Sequence, residues 1–220
     1  MSRRTMNKTA GYTNPAVKFL EWKSKDKQFA YYDKELKQNV PIELPLKFQF
    51  LEEFHCIKGW HDASESSITS NEVKLISTEP LTVRSFKGGP IANGLYKEIK
   101  PIILGAGGSY FRSIYALLDG EIVNITLKGA AVAAYSEFMK DNSNKLESLF
   151  MEITGAKDQK KGSIKYSTPI FEVGKAFSPI EMTAADEAYL TIANHFNVEK
   201  EEIIENSAPN LGTEDDDLDF

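Results

Sequence analysis

Three observations on the sequence predict a mainly β fold of the β-rich α+β kind. Asp119-Gly120 separates two β-rich runs, 109–118 and 121–129, and Asp-Gly in that setting is the strongest short hairpin signal. A second pair of β-rich runs follows at 149–154 and 164–173. An alanine-rich helical stretch at 130–140 stands between the two hairpins, and a further helical stretch closes the ordered part at 183–196. About six to eight strands with one inserted helix suit an OB-like barrel, whose usual form has five strands and one helix. An N-terminal hairpin would be an elaboration and the last helix an addition. Sandwich and other α+β arrangements stay open.

Taken in order, residues 1–16 are polar and punctuated by Gly11, Asn14 and Pro15, which predicts a flexible basic arm. Residues 17–33 read as two strands around a polar turn at 24–27. Residues 39–46 form a proline-punctuated link. The run 47–60 alternates Phe48 and Phe50 against polar neighbours and reads as a strand that bends near Glu52-Glu53. Residues 62–70 read as a polar loop, 72–77 and 81–86 as short strands, and 91–100 as a linking segment with at most one helical turn. Gly105-Ala106-Gly107-Gly108 precedes a strand and lacks a following Gly-Lys-Ser/Thr, so it reads as a flexible turn and not as a phosphate loop.

Within the first hairpin, strand periodicity puts Val123, Ile125 and Leu127 on one face. The opposite face is expected to carry Tyr110, Arg112, Asn124 and Lys128 as a binding surface. Residues 155–162 are expected to be a long basic loop. Thr183, three residues before Asp186, is expected to cap the last helix, whose apolar stripe is Tyr189, Ile192 and Phe196.

The 220 residues fit one globular domain with tails: an arm at 1–16, a single OB-like domain at 17–198, and an acidic, largely disordered segment at 199–220. One cysteine, Cys56, excludes an intrachain disulfide and a multi-cysteine zinc site. No apolar run approaches the ~20 residues of a membrane helix, and the basic start has no apolar segment after it, so no membrane association and a cytoplasmic location are expected. His55, Cys56 and His61 lack a fourth metal partner at suitable spacing. No nucleophile elbow or triad is visible. No metal, no cofactor and no enzymatic activity are therefore expected.

Charge is unevenly spread. From Glu199 onward nine acids face one base, a net charge of −8, although the whole chain is only −6. The preceding 198 residues are therefore at +2, and the first 37 alone, with nine bases and four acids, at +5. Such polarity points to a polyanionic partner for the body. The last residues, Glu214-Asp215-Asp216-Asp217-Leu218-Asp219-Phe220, place an aromatic tip after a run of acids. A solubilising tail needs no such tip.

This ending resembles that of the single-stranded DNA-binding proteins of bacteria and many phages. Asp219 stands at the penultimate position where the bacterial pattern has proline, which points to the phage type. The resemblance implies that Asp215, Asp216, Asp217, Leu218, Asp219 and Phe220 recruit replication, recombination and repair proteins and compete with DNA for the basic surface. The setting it implies is the host cytoplasm. Outside the tail the resemblance is architectural and compositional.

The body carries the matching chemistry in aromatics interleaved with lysines, since bases stack on rings while cations meet phosphates. The expected stacking residues are Trp22, Tyr31, Tyr110 and Trp60. The expected phosphate contacts are Lys23, Lys25, Lys27, Arg112, Lys128, Lys160 and Lys161. The ordinary alternative for 17–33 is an amphipathic hairpin whose aromatics are core. The alternative for the whole chain is a structural or adaptor protein, for instance one associated with a virion, whose tail docks a partner. Both readings leave room for a homo-oligomer.

Overall fold

The computed structural model describes residues 14–207. Eleven strands and three α-helices are present among them. In chain order these are β1 (Lys18–Lys23), β2 (Gln28–Asp33), β3 (Gln38–Ile42), β4 (Leu46–His61), β5 (Ser66–Ser70), β6 (Leu81–Ser85), β7 (Gly89–Gly94), α1 (Tyr96–Gly105), β8 (Gly108–Leu118), β9 (Glu121–Lys128), α2 (Ala130–Asn142), β10 (Leu149–Lys161), β11 (Ile164–Ala176) and α3 (Pro179–Ser207).

The main sheet runs β3-β2-β1-β9-β8-β4-β5-β6-β7, and the β10–β11 hairpin joins it through the first residues of β4. All pairings are antiparallel except β1 with β9. The mainly β class is as expected. An OB-like barrel is not confirmed: the path ends at β3 and β7 and the sheet does not close. Both edges carry a proline, Pro41 in β3 and Pro90 in β7, which cannot donate to a further strand.

The long strand β4 organises the rest. It pairs with β8 along most of its length, with a register shift between Phe50 and Glu52 at the expected bend. A bulge of this kind bends the strand. The first part of β4 meets β10 and the last part meets β5.

One face of the sheet is covered by α2 and the β10–β11 hairpin. Leu20, Trp22, Phe29, Ile114, Val123, Ile125 and Leu127 pack there against Tyr135, Met151 and Ile153. On the same side, α1 buries Ile99 and Ile103 against Ile57, Ile68, Leu81 and Val83. Among the described residues the other face is covered only in part, by α3, whose Ala185, Ala188, Ile192 and Phe196 pack on Leu51, Phe54, Tyr115 and Leu117.

Several expectations change. Residues 62–70 are not a loop: a short 3-10 turn leads into β5. Residues 72–77 form no strand, and only Val73 bridges to His55. The segment 91–100 belongs to β7 and to the ten-residue helix α1, which holds Pro101. Residues 155–161 are paired strand and not a loop, because β10 and β11 continue to a tight turn at Gly162. Helix α3 begins at Pro179 and not at Thr183. Ser178 accepts from the Glu181 amide at 3.3 Å while the Glu181 carboxylate accepts from the Ser178 amide at 2.7 Å. This reciprocal capping box, with proline at the first helical position, fixes the start. Helix α3 reaches Ser207, inside the segment expected to be tail. The arm and the acidic tip, including residues 215–220, lie outside the described residues apart from 14–16 of the arm. There Ala16 is buried against the α3 core and Asn14 donates to the Tyr115 hydroxyl.

Candidate nucleic-acid interface

Strand pairing determines which side chains share the uncovered part of the α3 face. The two-residue turn at Asp119-Gly120 pairs Leu118 with Glu121, and so Phe111 with Lys128 and Arg112 with Leu127. Tyr110 and Arg112 therefore stand on the α1/α2 side, not beside Lys128 as expected. The uncovered face carries Phe19, Glu21 and Lys23 of β1, which follow Asn124 and Thr126 of β9 in register. It continues with Lys128, Phe111 of β8, Lys58 and Trp60 of β4, Ser67 and Thr69 of β5, and Arg84 of β6.

The aromatics on this face are accessible: Phe19 is 45% exposed, Trp60 55% and Phe86, just past β6, 84%. Tyr32, one residue beyond Tyr31 and so on the opposite side of β2, adds a ring 58% exposed. Phe111 lies flush with the sheet at 9%. Cations stand over these rings, with Lys128 Nζ 5.7 Å from the Phe111 centroid and Lys58 Nζ 5.9 Å from that of Phe19. Contacts at such distance hold a lysine in place by about 0.5–1 kcal/mol while leaving its ammonium wet.

Beneath them lies a small polar floor. Asn124 donates to Ser113 at 2.6 Å and the Thr126 hydroxyl donates to the Leu20 carbonyl. Glu21 is the acid among these cations. Burial pushes its carboxyl up, but the bond from Lys23 at 2.8 Å and the charges of Lys58 and Lys128 outweigh that and hold it below its ordinary range. The four residues thus form one electrostatic group.

Two glycines place Trp60 at the end of β4. A Cβ on Gly59 would strike the Gly107 carbonyl, and a Cβ on Gly107 (φ +91°) would strike the Trp60 carbonyl. The Gly105–Gly108 turn is thus a close-packed support for the strand end.

The expected site residues divide into groups. Trp60, Lys23 and Lys128 come together on this face. Lys25, Lys27 and Lys160 line a separate cleft between the β1–β2 turn and the hairpin tip, with the exposed Lys161 next in β10. Trp22 is core: its indole N–H donates to the Ser167 carbonyl at 3.0 Å and its ring packs edge-on to Phe29. No ring face is left for a base. Tyr31 shares the α2 side with Leu20 and is half-buried against that core.

Tyr110 and Arg112 belong to a structural network. Arg112 Nη1 donates to Glu53 at 3.0 Å and contacts His55 Nε2 at 3.2 Å; Tyr135 donates to the other Glu53 oxygen at 2.7 Å. Since His55 Nε2 faces a guanidinium donor, its proton sits on Nδ1 and is donated to the Tyr110 hydroxyl at 2.6 Å. Burial, then the Arg112 charge, pushes His55 down to about 4. Sequence reasoning missed Lys58, Arg84, Phe86 and Phe111, and it set Phe19 and Tyr32 in the lysine–aromatic run of 17–33 without choosing them as stacking residues. Strand parity counted from the Asp-Gly turn was the available signal for Phe111.

Among the described residues no group of three or more His, Cys, Asp or Glu could hold a metal, and no helix is long and apolar enough to cross a membrane. Cys56, buried in β4, has its thiol pushed up to about 12 by desolvation. A thiol so held is a poor nucleophile. No family model, curated protein or solved structure matches the chain.

Proposed function

We propose that the chain binds single-stranded DNA without strong sequence preference, through the uncovered face of its main sheet, in the cytoplasm during replication, recombination or repair. The observation that carries this reading is the interleaving on that face of Tyr32, Phe19, Phe111, Trp60 and Phe86 with Lys23, Lys58, Lys128 and Arg84. Every base has a face that an aromatic ring can stack on, at about 1–3 kcal/mol per base, and every nucleotide has a phosphate that a lysine can neutralise. A face built from rings and ammonium groups therefore favours single strands, whose bases are free, over duplexes. The acidic segment from residue 199 onward, with its net charge of −8, is the complementary counter-charge, and its Phe220 tip is the element that partner proteins take.

The test is a titration of fluorescently labelled oligo-dT at low and moderate salt. Micromolar or tighter binding that weakens steeply with salt is expected, and removal of residues 213–220 tightens it. Failure of both the full chain and the truncated chain to bind at low salt sinks the reading.

A further inference from the structure

We propose that a bound single strand runs off the sheet face into a second, separately built subsite, the cleft between the β1–β2 turn and the β10–β11 hairpin tip. The inference rests on the reading above. The cleft is open, about 650 Å³ in volume, and lined by Ser24, Lys25, Lys27, Lys160, Lys165 and Tyr166 together with Asp158 and Gln159. Four cations against one carboxylate give it a positive excess. Chain direction links it to the face: β1 ends at Lys23 on the uncovered surface, and of the four turn residues that follow, Ser24, Lys25 and Lys27 line the cleft.

The base of the cleft is pinned. Ser167 N donates to Ser24 Oγ at 2.7 Å, Ser167 Oγ donates to the Ser24 carbonyl at 2.6 Å, and Trp22 donates to the Ser167 carbonyl at 3.0 Å. These bonds tie two elements distant in sequence at a fixed separation. Lys27 is held in the left-handed region (φ 58°) by a turn in which its amide donates to the Lys23 carbonyl at 2.9 Å. A non-glycine residue seldom adopts that conformation. Its ammonium spans the cleft to Asp158 at 2.7 Å, and both partners are exposed. The Asp158 carboxylate occupies the position a phosphate would take, so an entering strand exchanges one anion for another and releases Asp158.

The cleft offers one half-buried ring, Tyr166, whereas the face offers several. A short strand therefore sits on the face, and only a longer one also reaches the cleft.

The experiment compares oligo-dT of about 6 and about 20 nucleotides, one near the lower end and one beyond the upper end of the site sizes of single-strand binding modules. The probes are titrated against the wild-type chain, the Lys160→Glu/Lys165→Glu variant and Asp158→Asn. The charge reversal is expected to weaken the long oligonucleotide about tenfold and to leave the short one unchanged, as loss of two phosphate contacts implies. Asp158→Asn is expected to tighten the long one alone. Equal binding of the long oligonucleotide by wild type and the reversal variant overturns the second subsite. So does an equal loss on both lengths, which would mark an effect of net charge. If the wild-type chain binds neither length at low salt, the sheet-face reading fails as well.

Discussion

Lys128 stands directly across from Phe111 in the β8–β9 hairpin, with its ammonium 5.7 Å from the centre of the ring. The pair is fixed by the Asp119-Gly120 turn, since a two-residue connection sets every opposing pair up the ladder. It places a cation and an aromatic on the same uncovered surface, within reach of one nucleotide. If Lys128 meets a phosphate, Lys128→Ala lowers the slope of log affinity against log salt by about 0.7, the share of one contact on a single strand. Titrations with oligo-dT at several salt concentrations measure it. An unchanged slope removes Lys128 from the interface.

Trp60 and Trp22 make opposite predictions. Trp60 is 55% exposed at the end of β4, whereas Trp22 is 9% exposed in the core. Trp60→Ala is expected to cost about 1–3 kcal/mol of oligonucleotide binding and to change folding stability by less than about 0.5 kcal/mol, as surface changes do. Trp22→Ala is expected to cost about 3–5 kcal/mol of stability through the cavity it leaves. Tryptophan emission separates them further. Oligo-dT should quench the wild-type chain but not Trp60→Phe, whose remaining indole is Trp22. Persistent quenching in Trp60→Phe would contradict the placement of the strand.

Much of the fold was legible in the sequence because local signals agreed with the final pairing. The Asp-Gly hairpin, the alanine-rich helix α2 and the bend of β4 at Glu52-Glu53 all lie where pattern and turn chemistry put them. The uncovered face was legible only in part. Strand alternation puts Lys128 on a binding surface but sets Tyr110 and Arg112 beside it, whereas the turn pairs Arg112 with Leu127. Trp22 and Tyr31 were drawn in by their lysine neighbours, yet parity turns both toward the α2 core and leaves Phe19 and Tyr32 outside. That part of this face is uncovered among the described residues depends on where α3 docks, a tertiary fact that no local pattern encodes. The strand pairing of 155–161 was hidden by its lysines, Lys157, Lys160 and Lys161, which the hairpin tip tolerates because these side chains are exposed.

Glu21 gives a prediction of opposite sign to Lys128. Although burial raises its carboxyl, Lys23, Lys58 and Lys128 together keep it charged. It already serves those lysines as an anion, so a phosphate must displace it or share them. Glu21→Gln keeps the shape and removes the charge. Oligo-dT affinity is expected to rise several-fold at low salt, with the gain shrinking as salt screens the site. Weaker binding by Glu21→Gln would show that the carboxylate positions the lysines more than it competes for them.

His55 sets a pH dependence of stability that is independent of any ligand. Its folded-state value is pushed from the ordinary 6.5 to about 4 by burial and then by the Arg112 charge. Below pH 6.5 the unfolded chain takes up a proton that the folded chain refuses, so the unfolded state binds more protons and stability falls with falling pH. The loss accumulates between 6.5 and about 4 and then levels off, once the folded imidazole also titrates. The proton it finally accepts breaks the contact between His55 Nε2 and Arg112 and sets two cations side by side. Arg112 is then held by Glu53 alone, and Glu53 in turn anchors Tyr135 of α2. Denaturant midpoints measured from pH 7 to pH 4 should decline in the wild-type chain. In His55→Gln, which keeps an amide in the network and cannot titrate, the decline should be shallower over the same window. Parallel curves for the two chains would assign the acid sensitivity to the carboxylates and remove His55 from the account.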